Sequence, residues 1–225
     1  MGGGGFATGP ADRLDDFILD LTGQARPRVL FLPTATANVP TYLASFYPAF
    51  SRRAEASHLD LLTRTGEDLR GLILDQDVVY VGGGNTANLL AIWRVHGLDA
   101  ILRTAWEAGV VMAGVSAGAI CWFQAGVTDS FGPELAALDG GLGLLPGSFC
   151  PHYDSEAARR PTFRRLIGEG LLPDGWAADD GAAVHFVGVD VAEVVSSRPE
   201  ARAYRLERAV GGATDTELAT RYLGG

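Results

Sequence analysis

Ser116 lies in the run Gly114-Val115-Ser116-Ala117-Gly118, which fits the G-x-S-x-G pattern of a nucleophile elbow. An apolar run, Val110-Val111-Met112-Ala113, leads in, and a helix-compatible stretch, Ala117 to Phe123, leads out. A strand that turns abruptly into a helix forces a strained conformation on the turn residue. Glycines at 114 and 118 remove the Cβ atoms that would clash there. The hydroxyl then stands at the tip of the turn, at the positive end of a helix dipole. The same pentapeptide also serves as a plain strand–helix junction with a serine N-cap, so its chemistry depends on partners.

An acyl-transfer serine needs a base, a group that orients the base, and donors for an oxyanion. The chain has four histidines: His58, His96, His152 and His185. His58 and His96 fall at element ends, and His185 sits within a strand-like run. His152 stands in Phe149-Cys150-Pro151-His152-Tyr153-Asp154, a proline-fixed loop flanked by aromatics, and is the candidate base. Gly82-Gly83-Gly84-Asn85-Thr86 follows an apolar strand, so its backbone N–H groups open at the carboxyl end of a parallel sheet, where the elbow also points. Gly84 and Ala117 are the expected oxyanion donors, while Gly83 and Asn85 are candidates for the substrate side. Asn85 also suits a helix cap. The loop lacks G-x-G-x-x-G spacing and a P-loop lysine, which argues against nucleotide binding. Asp129, Glu134, Asp154, Glu156, Asp179 and Asp180 all follow the elbow, and spacing alone does not choose an orienting acid among them.

These residues need a scaffold of alternating strands and helices. Arg28–Pro33, His58–Leu62, Asp77–Val81 and Val110–Ala113 read as strands; Thr41–Ala56, Thr86–His96 and Leu98–Ala108 read as helices. Such alternation predicts an α/β fold, a mostly parallel sheet with helices on both faces. Later, Ala182–Val187 and Glu193–Ser196 read as a hairpin, with a further strand at Ala203–Glu207, which predicts a C-terminal antiparallel extension. No repeat or low-complexity linker divides residues 1–225, so a single catalytic domain is expected.

Bulk properties narrow the partners. The 225 residues are 47% hydrophobic, enough for a core. A formal net charge of −9 disfavours nucleic acid and anionic membranes. No apolar run reaches the roughly 18 residues of a membrane span, and no secretion-signal pattern is present, so a cytoplasmic protein is expected. Cys121 and Cys150 have neither zinc nor redox spacing, and no cluster suits a metal; no cofactor is expected.

In order along the chain, Val81-Gly82-Gly83-Gly84-Asn85-Thr86, Gly114-Val115-Ser116-Ala117-Gly118-Ala119, Pro151-His152-Tyr153 and Asp179-Asp180-Gly181-Ala182-Ala183 resemble the motifs of the peptidase E family of serine peptidases, family S51. The resemblance implies a class I glutamine amidotransferase-like fold and a peptidase acting on short peptides, with Ser116 as nucleophile and His152 as base. It implies Asp129, in Val127-Thr128-Asp129, as the triad acid; Glu134 is the alternative and Asp180 the third choice. Cyanophycinases, which cleave an aspartyl polymer, are relatives and give an alternative activity; a non-catalytic small-molecule-binding protein is another. A homodimer is an allowed assembly. Two departures stand out. The family's aspartate-binding arginine falls in register on Phe163, with Arg159, Arg160, Arg164 and Arg165 nearby but out of register. Family members also carry an apolar strand ahead of the first glycine loop, where this chain reads Met1-Gly2-Gly3-Gly4-Gly5-Phe6, so either the start lies upstream or an edge strand is lost.

Overall fold

A computed structural model describes residues 1–9, 12–37, 39–63, 66 and 68–224. In chain order the elements are α1 (Arg13–Asp20), β1 (Arg28–Leu32), α2 (Val39–Phe50), β2 (Glu55–His58), α3 (Leu69–Leu74), β3 (Val78–Val81), α4 (Thr86–Val95), α5 (Leu98–Glu107), β4 (Val111–Gly114), α6 (Ala117–Ile120), β5 (Phe123–Thr128), β6 (Ala136–Asp139), β7 (Leu145–Cys150), α7 (Arg159–Gly168), β8 (Gly175–Ala178), β9 (Ala182–Val187), β10 (Asp190–Ser196), β11 (Ala203–Ala209), β12 (Gly212–Glu217) and β13 (Thr220–Tyr222).

The first half is a parallel sheet in the order β2-β1-β3-β4. Its two central strands, Val29-Leu30-Phe31-Leu32 and Val78-Val79-Tyr80-Val81, are fully buried, as a parallel sheet covered on both faces requires. One face packs against α3, α4 and α5 through Ile73, Leu89, Trp93 and Leu102. The other meets Phe6 and α2 in an aromatic cluster of Phe6, Phe31, Phe46, Phe50 and Tyr80, whose centroids lie 4.8–6.3 Å apart. Such ring pairs add about 0.5–1.5 kcal/mol each beyond their burial.

The second half is a six-stranded mixed sheet, β12-β11-β8-β7-β5-β6, in which β5, β7 and β8 run parallel and the outer pairings are antiparallel. A third sheet, β13-β10-β9, holds the expected hairpin of β9 and β10. The α/β architecture and the antiparallel C-terminal strands follow the expectation, but in separate sheets. An apolar cavity of about 330 Å³ lies between β4 and β9, lined by Trp106, Met112, Trp122, Phe123 and Phe186 among others; Ser116, His152 and Asp180 are not part of its lining.

Three boundaries differ from the sequence reading. The helix expected over Thr41–Ala56 stops at Phe50, and the strand expected at His58–Leu62 occupies Glu55–His58. Only these four residues align with Arg28–Phe31 of β1, so register with the central strand overrides the more apolar run downstream. The elbow helix is a single turn; Cys121 and Trp122 form a turn after it, and Phe123 opens β5.

Candidate active site

Ser116 joins β4 to α6 with φ 55° and ψ −116°, a left-handed conformation for a residue that carries a Cβ. Backbone strain of this kind costs on the order of 1–3 kcal/mol and persists only where the surroundings enforce it. Here the enforcement is close packing of backbone. A Cβ on Gly114 would lie 2.0 Å from the Gly118 carbonyl oxygen, and one on Gly118 would lie 2.2 Å from the Val81 carbonyl oxygen. Both glycines are therefore required by contact, as the pentapeptide implied. Ser116 N–H donates to the Met1 carbonyl, and the Ser116 carbonyl accepts from Ala119 and Ile120.

His152 follows β7 and Pro151, and it too has a positive φ, 54°. Its Nε2 lies 2.9 Å from Ser116 Oγ, and its Nδ1 lies 2.7 Å from Asp180 Oδ1. With the Nδ1 proton donated to the carboxylate, Nε2 is left to accept the serine proton, the arrangement a general base needs. The hydrogen bond from His152 holds the Asp180 carboxyl below the usual carboxylate range, so it stays ionised opposite the ring. Adjacent Asp179 turns inward instead and accepts the Arg202 N–H at 2.9 Å; burial pushes its pKa up to about 6.

The structure brings to His152 a different acid from the one the resemblance put first. Asp129 and Glu134 are exposed, and among the described residues the carboxylate bonded to His152 is that of Asp180, ranked third from the sequence. The reason is topological. Thr128 ends strand β5, and the chain beyond it folds back as a hairpin, with Thr128 opposite Ala136. The tip of that hairpin is tied to the glycine loop: Ser130 Oγ accepts the Thr86 and Ala87 N–H groups, and the Ser130 carbonyl accepts from Asn85 Nδ2. The Asp129 segment thus braces the start of α4 rather than the histidine.

The glycine loop leaves β3 and packs on the elbow. A Cβ on Gly83 would sit 3.3 Å from Ser116 Cβ. Gly84 has φ 137°, and a Cβ there would meet the Ala35 carbonyl oxygen at 2.2 Å. Among the described residues no acceptor is bonded to the Gly84 or Ala117 N–H, which leaves both for a ligand oxygen. The Gly83 N–H is committed to Tyr42 Oη at 3.1 Å. Asn85 is the N-cap of α4: its Oδ1 accepts the Asn88 N–H while its Nδ2 reaches Ser130. Both ends of that amide are structural.

Sequence reasoning missed two contributors. Gly3 lies against the relay; a Cβ there would come within 2.1 Å of Asp180 Oδ1 and 3.1 Å of His152 Cε1. Gly3 also bridges to the Asp180 strand entry, accepting the Gly181 N–H. The glycine run was visible, but nothing local tied it to residue 180. Tyr42 lies within the expected helix Thr41–Ala56 and carries no motif.

Phe163 is fully buried among Cys150, Tyr153, Leu166 and Ile167, so no cation stands at that position. The neighbouring arginines are engaged within the protein: Arg159 with Glu156 and the Val127 carbonyl, Arg160 and Arg164 with Asp215, Arg165 with Glu169. Cys121 and Cys150 are buried, and desolvation pushes both thiols well above their ordinary range, which makes them packing residues rather than nucleophiles. Among the described residues no group of His, Cys, Asp and Glu is placed to hold a metal ion.

Comparisons with known proteins bear on the family and the fold. Residues 1–194 match the model of peptidase family S51. The chain is 50% identical over 226 residues to an uncharacterized peptidase, YgaJ, of Bacillus subtilis (strain 168), covering all of this chain and 97% of that one. It is 31% identical over 146 residues to peptidase E of Shewanella denitrificans, covering 64% of this chain and 60% of that one. Among solved structures, a peptidase from an acI-B1 Actinobacterium superposes with a TM-score of 0.71 over 98% of this chain and 92% of its own, at 18% identity. A putative peptidase E protein from Listeria monocytogenes EGD-e gives 0.53 over 91% of this chain and 93% of its own, also at 18% identity. These last two likenesses speak for the fold.

Proposed function

The chain belongs to peptidase family S51, and from that premise we propose that it hydrolyses short peptides by a serine mechanism, with Ser116 as nucleophile, His152 as general base and Asp180 as the acid that orients it. The observation that carries this reading is the continuous relay from Ser116 Oγ through His152 to Asp180, at 2.9 and 2.7 Å, with the serine held in a strained turn.

The chemistry runs in two halves. His152 Nε2 takes the Ser116 proton as Oγ attacks the scissile carbonyl carbon. The carbonyl π electrons move to oxygen, and the Gly84 and Ala117 N–H groups receive the oxyanion. Preorganised donors of this kind are worth on the order of 10²–10³ in rate each. The tetrahedral intermediate collapses, the C–N bond breaks, and His152 returns its proton to the leaving amine. Water then enters and gives a proton to His152 as its oxygen attacks the acyl carbon; the C–Oγ bond breaks, His152 returns the proton to Ser116 Oγ, and the acid leaves. Asp180 stays ionised throughout and offsets the imidazolium charge.

The substrate reading is broader than an aspartyl dipeptidase. Phe163 fills the core where the family's arginine would stand, and the nearby arginines are ion-paired, so selectivity for an acidic side chain has no evident anchor here. The net charge of −9 favours a small peptide over nucleic acid as ligand. Among the described residues no helix is long and apolar enough to cross a membrane.

A fluorophosphonate probe tests the nucleophile without knowledge of the substrate. The wild-type protein is expected to be labelled at Ser116, and Ser116→Ala to give no label and no hydrolysis across a panel of short peptides with varied N-terminal residues. Equal labelling or turnover by the variant would overturn the assignment.

A further inference from the structure

The acid of the relay sits in a turn, and turns are mobile unless tied down. Asp180 lies between β8 and β9 in Asp179-Asp180-Gly181. Its side chain has only to swing by one rotamer to lose His152. Besides the Gly3 bridge, what holds it is the loop that carries the base, whose Ser155 side chain also bonds the Asp180 carboxylate. Asp154, two residues beyond His152, accepts the Asp180 N–H on Oδ1 at 2.8 Å. Its other oxygen, Oδ2, faces Arg198 Nη1 at 3.3 Å, and the same Nη1 donates to the Asp180 carbonyl at 3.0 Å. Both polar groups of the Asp180 backbone are thus taken by side chains. The loop itself is fixed to β8, since Tyr153 N–H donates to the Ala178 carbonyl. Base and acid are carried on different segments, and Asp154 ties one to the other within two residues of His152.

We propose that Asp154 is a positioning residue for the peptidase reaction: it accepts the Asp180 N–H and, with Arg198 as a second tie, sets the Asp180 carboxylate at hydrogen-bond distance from His152 Nδ1. This rests on the triad reading given above. Asp154 has no direct bond to His152 or Ser116 side chains, so its effect reaches the chemistry through the placement of Asp180. Misplacement of a catalytic group by about 1 Å can cost roughly 100-fold in rate. The Arg198–Asp154 pair is largely exposed and adds little by charge alone; the acceptor oxygen is the part that matters.

The test compares Asp154→Ala, Asp154→Asn and Arg198→Met by fluorophosphonate labelling, separating the limiting inactivation rate from probe affinity, together with the proton NMR signal of the His152 Nδ1–H and the melting temperature. Asp154→Ala is expected to lower the limiting rate by roughly 10–100-fold with affinity nearly unchanged and to shift the Nδ1–H signal upfield. Asp154→Asn keeps an acceptor oxygen and should restore most of the rate and the signal. Arg198→Met is expected to fall between wild type and Asp154→Ala, and it carries the test if the alanine variant does not fold. The inference fails if wild type is labelled at Ser116 while Asp154→Ala is labelled at the same rate with an unshifted signal, or if Asp154→Asn is as slow as alanine. Absence of labelling in wild type would sink the triad reading instead.

Discussion

Ser116 and His152 share a feature that few side-chain-bearing residues have, a positive φ, and they face each other across 2.9 Å. Both were legible in the sequence, because each stands in a local motif whose neighbours state its geometry: glycines on either side of Ser116 and a proline before His152. Asp180 was named but ranked below Asp129 and Glu134, since a carboxylate in a turn has no local signature. Its partner lies 28 residues earlier, and only tertiary structure brings the two together. Substitution separates the three acids. Asp180→Asn is expected to lower kcat by about four orders of magnitude, as loss of the orienting carboxylate leaves the wrong tautomer facing the serine. Asp129→Asn and Glu134→Gln, on exposed positions of the β5–β6 turn, should stay within about twofold of wild type, an expectation drawn from the small effects typical of surface substitutions. Peptide hydrolysis followed by amine release measures all three, and a large loss from Asp129→Asn with little from Asp180→Asn would reverse the assignment.

At the scale of elements, the strands around the elbow and the glycine loop were legible because buried parallel strands read as short β-branched runs between turn signals. The β5–β6 hairpin was not. Phe123-Gln124-Ala125-Gly126-Val127-Thr128 follows a helix-compatible run, and the point at which the helix yields to a strand is set by pairing of β5 with β6 and β7, which no local propensity reports. Helix α2 is the other element whose role emerged only in three dimensions. It lays Tyr42 against Phe31 and Phe6 and brings the hydroxyl to the Gly83 N–H. Gly83 and Gly84 share a peptide bond, so an anchor on one fixes the direction of the other. Desolvation raises the pKa of the Tyr42 hydroxyl, which keeps it a neutral acceptor. Tyr42→Phe preserves the ring packing and strands the Gly83 N–H. The expected cost is about 1–2 kcal/mol in stability, from the unpaired donor, and a fall in kcat of roughly tenfold with KM little changed, from a loosened oxyanion donor. Urea unfolding and steady-state kinetics read the two effects separately; a change confined to KM would place Tyr42 on the substrate instead.

At the scale of the whole molecule, a buried carboxyl on α1 contributes to how stability depends on pH, alongside Asp179 and the buried Met1 amino group. Asp15, on the inner face of α1, is 0% exposed, and the Tyr80 hydroxyl, the Arg53 charge and the Phe6 backbone beside its carboxylate offset only part of the cost of burial. Burial, reinforced by the nearby Asp12 charge, raises its pKa from 3.8 to about 7. The sign follows from proton counting. Between about pH 4 and 7 the unfolded chain has released this proton while the folded protein keeps it, so the folded state binds more protons and stability falls as pH rises. Below that window both states are protonated and nothing is lost. Above it both are ionised, and the folded protein carries a roughly constant penalty of about 4 kcal/mol from this group. An aspartate in the first turn of a helix normally reads as a solvated charge that favours the dipole; its burial here depends on Gly5, ten residues earlier, and on Tyr80, which β3 brings from far along the chain. Asp15→Asn removes the ionisation and keeps the shape. It is expected to flatten the pH dependence, to match wild type most closely near pH 4, and to be the more stable protein at pH 8 by an amount approaching that penalty. Urea denaturation of both proteins from pH 4 to 8 measures it, with one cooperative transition expected if residues 1–225 act as one domain. Parallel curves for the two proteins across that range would show that Asp15 titrates in the fold as it does in the unfolded chain and that its burial is compensated by a partner.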